Sequence, residues 1–188
     1  MAGCYDPGRA MSILKLLGLG RSGAAPAAAA GTTETVRQVI RQLEALPPER
    51  ARYVAAFGYV LGRVAHADFE ISEEETREME RIVSQVGHLA EEQAVLVVEI
   101  AKSQNRLFGG TENFLVTREF KEIASPGERR ELLDCLFAVS AADDSISSPE
   151  EAQIRQIASE LGFDLAEFVE ARSAWSHQRE VLRGLQRR

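Results

Sequence analysis

The chain has no basic excess, no membrane-length apolar run, no disulfide framework and no familiar catalytic motif. A net charge of −7 and a pI near 5.1 exclude nucleic acid as a primary ligand, because gripping phosphates needs a basic face. No stretch approaches the roughly 20 apolar residues of a membrane span. The two cysteines cannot form a stapled framework. Cys4 lies near the N-terminus, and Cys135 sits inside the apolar run Leu132-Leu133-Asp134-Cys135-Leu136-Phe137. The latter reads as a small buried hydrophobe in a reducing compartment, which predicts a cytoplasmic protein. The three histidines His66, His88 and His177 are scattered. No Gly-x-Ser-x-Gly, phosphate loop or Cys–His zinc spacing occurs, so neither catalysis nor a small-molecule substrate is expected.

What is present is helical. A hydrophobic fraction of 45% and a charged fraction of 27% over 188 residues suit one soluble domain with a proper core. Three segments follow from the pattern. Residues 1–31 form a tail and an Ala-rich linker, 32–178 a helical domain, and 179–188 a basic C-terminal tail. Within the first, Ile13-Leu14-Lys15-Leu16-Leu17-Gly18-Leu19 faintly resembles a signal peptide, but Lys15, Arg21 and two glycines interrupt it. It reads better as a short amphipathic helix making weak membrane contact through 11–19, with Met11 an alternative start.

From Thr32 onward no convincing strand occurs. The expected helices run from Thr32 or Thr33 to Leu46, Glu49 to Ala67, Glu73 to Val86, Ala90 to Ser103, Glu112 to Ala124, and Pro126 to Ala142. Two more end the domain, one closing at Leu161-Gly162 and one opening at Asp164. Tyr53, Phe57, Val60, Leu61 and Val64 mark an inward stripe on the second. Val95-Leu96-Val97-Val98 marks a central helix, and Leu115, Phe120 and Ile123 should point inward. Asn105 to Gly110 reads as a turn. Gly87 suits a left-handed residue past a helix end. Trp175 reads as a core residue, with a partner surface as the alternative.

One segment is written twice, 75 residues apart and without gaps. Val64-Ala65-His66-Ala67-Asp68-Phe69-Glu70-Ile71-Ser72-Glu73-Glu74-Glu75 answers Val139-Ser140-Ala141-Ala142-Asp143-Asp144-Ser145-Ile146-Ser147-Ser148-Pro149-Glu150. The register continues, Met79 against Ile154 and Ile82 against Ile157. Pseudo-twofold halves are expected around 49–86 and 126–161. Ser72-x-x-Glu75 and Ser147-x-x-Glu150 both fit the capping box, in which Ser and Glu satisfy free N–H groups at a helix start. In the second copy Ser148 with Glu151 is an equal alternative.

Asp68 and Asp143 follow apolar helical runs, where the helix dipole disfavours a carboxylate. Either each bonds loop N–H groups in an Asx-turn, or each helps hold a cation with the Glu and free helix carbonyls. The candidate metal ligands are therefore Asp68, Glu75, Asp143, Asp144 and Glu150, for a divalent cation such as calcium, magnesium or zinc. His66 is a possible addition, with a helix C-cap as its alternative role. The loops are not EF-hands. The first and third ligand positions offer no carboxylate, and Phe69 and Asp144 replace the loop glycine.

These residues resemble the family of tellurite-resistance TerB proteins, which shares its helical domain with the N-terminal region of DjlA-type co-chaperones. The signature is a doubled Ala-Asp-Gly-x-Ile-x-x-x-Glu, here Ala67-Asp68-Phe69-Glu70-Ile71-Ser72-Glu73-Glu74-Glu75 and Ala142-Asp143-Asp144-Ser145-Ile146-Ser147-Ser148-Pro149-Glu150. The likeness covers roughly Thr33 to Trp175. It implies a compact all-helical bundle of seven to eight helices, with acidic residues clustered where the two loops meet. It also implies a bacterial stress-response role through binding, in metal-related, membrane-associated protein complexes at the inner membrane's periphery. The family's acidic positions map to Asp68, Glu75, Asp143 and Glu150. Both copies lack the signature's glycine. A left-handed residue there would strain Phe69 more than Asp144, so the first loop is the weaker cation candidate. No His-Pro-Asp signature accompanies the likeness, so J-domain activity is not expected. Two functions remain: a cation-binding stress module, or a metal-independent protein–protein adaptor whose loops only cap helices.

Overall fold

A computed structural model describes residues 34–65, 72–107, 113–142 and 145–176. They form eight helices: α1 Glu34–Ala45, α2 Pro48–Gly62, α3 Glu73–Gln85, α4 Glu91–Leu107, α5 Asn113–Ile123, α6 Pro126–Ser140, α7 Ser148–Leu161 and α8 Leu165–Ser173. The fold is all-helical, as the periodicity predicts.

Helix starts are specified by local chemistry. Proline stands at the opening of α2, α6 and α7, where its missing N–H costs no hydrogen bond. Ser125 accepts from the Glu128 N–H at 3.2 Å while the Ser125 N–H donates to the Glu128 carboxylate at 2.8 Å. Asp164 and Glu167 make the same reciprocal pair, both contacts at 2.8 Å. Each box satisfies two N–H groups that the helix itself cannot.

Helix α2 is the centre. It packs most closely on α4 and then on α5, and it also meets α1 and α6. The expected single inward stripe understates this. From Tyr53 to Gly62 every residue is buried, because neighbours cover α2 on all sides. Gly58 permits the crossing with α4, since a Cβ there would lie 2.7 Å from the Val97 carbonyl oxygen and 2.9 Å from the Ile100 Cβ. Tyr53, Phe57 and Phe120 form an aromatic cluster with ring centroids 5.3–6.0 Å apart, and the Arg50 guanidinium lies 4.7 Å over Tyr53. Cys135 is fully buried, and desolvation first, then the nearby acids Asp134 and Glu131, push its thiol far above the ordinary range. Trp175 is partly buried against the core.

The repeat is visible in packing. Helices α2 and α3 form one helix–loop–helix, α6 and α7 the other. Met79, Ile82 and Val83 of α3 are buried at the positions that Ile154, Ile157 and Ala158 occupy in α7.

Several boundaries differ from expectation. Helix α2 stops at Gly62 rather than Ala67, because the N–H groups of Arg63 and Val64 turn back to the carbonyls three residues earlier, each at 3.1 Å. Helix α6 stops at Ser140, and Ala142 bonds Val139 in the same tightened way. Helix α4 continues through Asn105 to Leu107, since no glycine interrupts it before Gly109. Leu115 is 48% exposed and Ile123 only partly buried, while Val116 and Thr117 turn inward. The left-handed residue after α3 is His88, at φ 52°, and not Gly87. Gly87 is needed for closeness instead: a Cβ would fall 2.6 Å from the Val83 carbonyl and 3.1 Å from the Cys135 sulfur. Gly162 is the left-handed residue after α7, at φ 92°.

Candidate functional site

The two repeated loops place their serine–glutamate pairs at the starts of α3 and α7. Ser72 accepts from the Glu75 N–H at 3.2 Å, and the Ser72 N–H donates to Glu75 Oε2 at 2.6 Å. Ser147 does the same with Glu150, at 3.4 and 2.8 Å, and its hydroxyl adds a 2.6 Å bond to Glu150 Oε2. The N-cap of α7 is thus Ser147. Glu151, which the alternative frame would use, pairs instead with Arg172 at 2.9 Å. Hydrogen bonds from the Ser72 hydroxyl and backbone hold the Glu75 carboxyl below its ordinary value.

The copies are not equivalent. Ser72 and Glu75 are exposed, whereas Ser147 and Glu150 are half-buried. Ile146, the loop isoleucine of the second copy, is fully enclosed at 1% exposure. Ser140, on the last turn of α6, buries a hydroxyl that has no hydrogen-bond partner. Its counterpart in the first copy is Ala65. Asp68, Asp143, Asp144 and His66 lie outside the described residues. Among the described residues no three His, Cys, Asp or Glu side chains gather closely enough to hold a metal ion. Gly62 and Ser140, the last residues of α2 and α6, precede Asp68 and Asp143 by six and three residues.

A second polar constellation escaped the sequence reading. Arg63, the residue capping α2, has a side chain only 1% exposed. Its Nη1 donates to Glu160 Oε2 at 2.5 Å and to Thr117 Oγ1 at 2.5 Å, and its Nη2 donates to Glu160 Oε1 at 3.2 Å. Tyr59 donates to Asn113 Oδ1 at 3.1 Å beside it. Burial pushes the Glu160 carboxyl up, but bonds and charge from Arg63, then bonds from Gln156 and Thr117, carry it below its ordinary value. The available signal was a charged residue in the apolar run Tyr59-Val60-Leu61-Gly62-Arg63-Val64. Nearby, Arg129 donates to the Leu161 carbonyl at 2.9 Å, meeting the open end of α7 with a cation.

These features define a helical module built on a doubled, acid-bearing helix–loop–helix and closed by a buried ion pair. The sequence model of the tellurite resistance protein TerB family matches residues 54–173, which spans both loops and helices α3 to α8. The chain belongs to the TerB family. No curated protein and no solved structure matches it. No helix among the described residues is long and apolar enough to cross a membrane.

Proposed function

We propose that this chain is a non-catalytic, tellurite-resistance-type module that works by binding, and that its second loop takes a hard divalent cation with modest affinity. One observation carries the choice of loop. Ser140 buries an unpartnered hydroxyl three residues before Asp143, and the first copy has Ala65 at that place. A buried polar group without a partner is costly and calls for a ligand or water. Asp143, Asp144, Glu150 and the carbonyls ending α6 would add oxygen donors. An all-oxygen set suits calcium or magnesium better than zinc, which prefers nitrogen and sulfur. In the first loop Asp68, Glu75 and His66 would form a poorer site, with Glu75 exposed.

The competing reading is a metal-independent adaptor, and the two complete capping boxes favour it, since they use Glu75 and Glu150 without any ligand. In either case the partner would be a protein, met in the cytoplasm or at the inner membrane's periphery. Thermal melts with calcium, magnesium and zinc, on the wild type and on Asp143→Asn, separate the readings. Ion-dependent stabilisation that the variant loses supports the cation site. The absence of any shift at millimolar ion sinks it and leaves the adaptor.

A further inference from the structure

Arg172 of α8 meets Glu151 in the first turn of α7, Nη1 to Oε1 at 2.9 Å. Both side chains are largely covered, at 28% and 17% exposure. The guanidinium also lies 5.6 Å over the ring of Phe168, which is buried and stacks on Phe137 of α6 at 5.9 Å. A ring and an ion pair thus fix the arginine, unlike a long surface side chain that samples solvent. We propose that Arg172 sets the strength of the second loop's cation site, keeping it weak by fixing a positive charge there and by occupying Glu151. This role rests on the cation reading proposed above.

Two observations give Arg172 that role. The first is the supply of carboxylates. The first turn of α7 carries two acids, Glu150 and Glu151. Glu150 is held in the capping box and its neighbour Glu151 in the ion pair. Affinity for a hard dication follows the charge of the groups around it, so a guanidinium fixed on one of them lowers it. The second is the contrast between the copies. Thr76 stands where Glu151 does, and its hydroxyl donates to the Ser72 carbonyl at 2.8 Å. In the first turn of α3, Glu73 does meet Arg77, but the two side chains are 91% and 76% exposed, so water screens that pair. The covered pair belongs to the second copy.

Calcium titrations of the full chain, followed by amide NMR, test this with four variants. At low ionic strength Arg172→Gln should bind calcium about threefold more tightly than the wild type. Most of that gain should vanish in about 1 M salt, where charges are screened within about 3 Å. Glu151→Gln leaves the arginine unbalanced and should weaken binding. The double variant restores the net charge and should return close to the wild type, and Arg172→Lys, which keeps the charge, should match it. A merely structural contact would instead make both single neutral variants bind more weakly. The proposal is overturned if Arg172→Gln binds no more tightly, or if it and Glu151→Gln shift the affinity in the same direction. The wild-type titration separately decides the cation reading: with no saturable shift there, that reading fails and the role of Arg172 falls with it.

Discussion

Arg63 and Glu160 meet through two hydrogen bonds, Nη1 to Oε2 at 2.5 Å and Nη2 to Oε1 at 3.2 Å, with almost no solvent contact on the arginine side. The pair joins the end of α2, in the first copy of the repeat, to the end of α7, in the second. Thr117 of α5 accepts a further hydrogen bond from Nη1. Counterparts 75 residues away are Ala138 and Gln85, so the pair breaks the internal symmetry and exists once.

Removing one partner should be costly. Arg63→Met leaves a largely buried carboxylate without its cation and should lower stability by about 3–5 kcal/mol. Arg63→Met combined with Glu160→Leu should recover most of that loss, because the uncompensated charge is gone. Urea denaturation of the two variants checks both statements.

Acid should weaken the same contact. The folded carboxyl of Glu160 sits below its unfolded value of about 4.3. Its contribution is therefore fully present above that pH and is lost as pH falls through the lower folded value. Glu160→Gln should flatten this part of the stability profile between neutral pH and about pH 3. An unchanged acid slope in that variant would contradict the assignment.

Capping and coordination separate at Glu150. Ser72→Ala and Ser147→Ala should each cost about 1 kcal/mol and combine additively, since the two serines bond different glutamates, Glu75 and Glu150. Glu150→Gln keeps the capping box, which glutamine also completes. It should leave ion-free stability nearly unchanged while reducing any stabilisation by calcium. Melts in chelator and in calcium measure the two effects independently.

Gly58→Ala should cost about 1–3 kcal/mol, as a methyl there meets the Val97 backbone and the Ile100 side chain. Helix propensity alone would make the same substitution favourable. Chemical denaturation therefore decides which effect wins, and a stabilised variant would mean that α2 and α4 cross less closely than described.

Much of the fold was legible because it is written locally. Ser125, Ser147 and Asp164 announce their helices within four residues, and the doubled loop fixed the paired α2–α3 and α6–α7 units. What escaped depends on distant partners. Arg63 looked like an ordinary residue near a helix end because Thr117 and Glu160 lie 54 and 97 positions away. Leu115 fits an inward spacing, yet α5 turns Val116 and Thr117 inward instead. The glycine at 87 suggested a left-handed turn, but Cys135 of another helix explains it by proximity. At the candidate site, the glutamates were readable as caps. The preference for the second loop was readable too, from Phe69 against Asp144, whereas the buried, unpartnered hydroxyl of Ser140 was not, since it depends on packing.

On the proposed reading the second loop, not the first, is the ligand-bearing copy. An amide NMR titration of the full chain with calcium addresses it most directly. Shifts that saturate at millimolar calcium, centred on residues 140–150 and absent around 65–75, are the predicted result. No saturable shift, or shifts centred on the first loop, would contradict the claim.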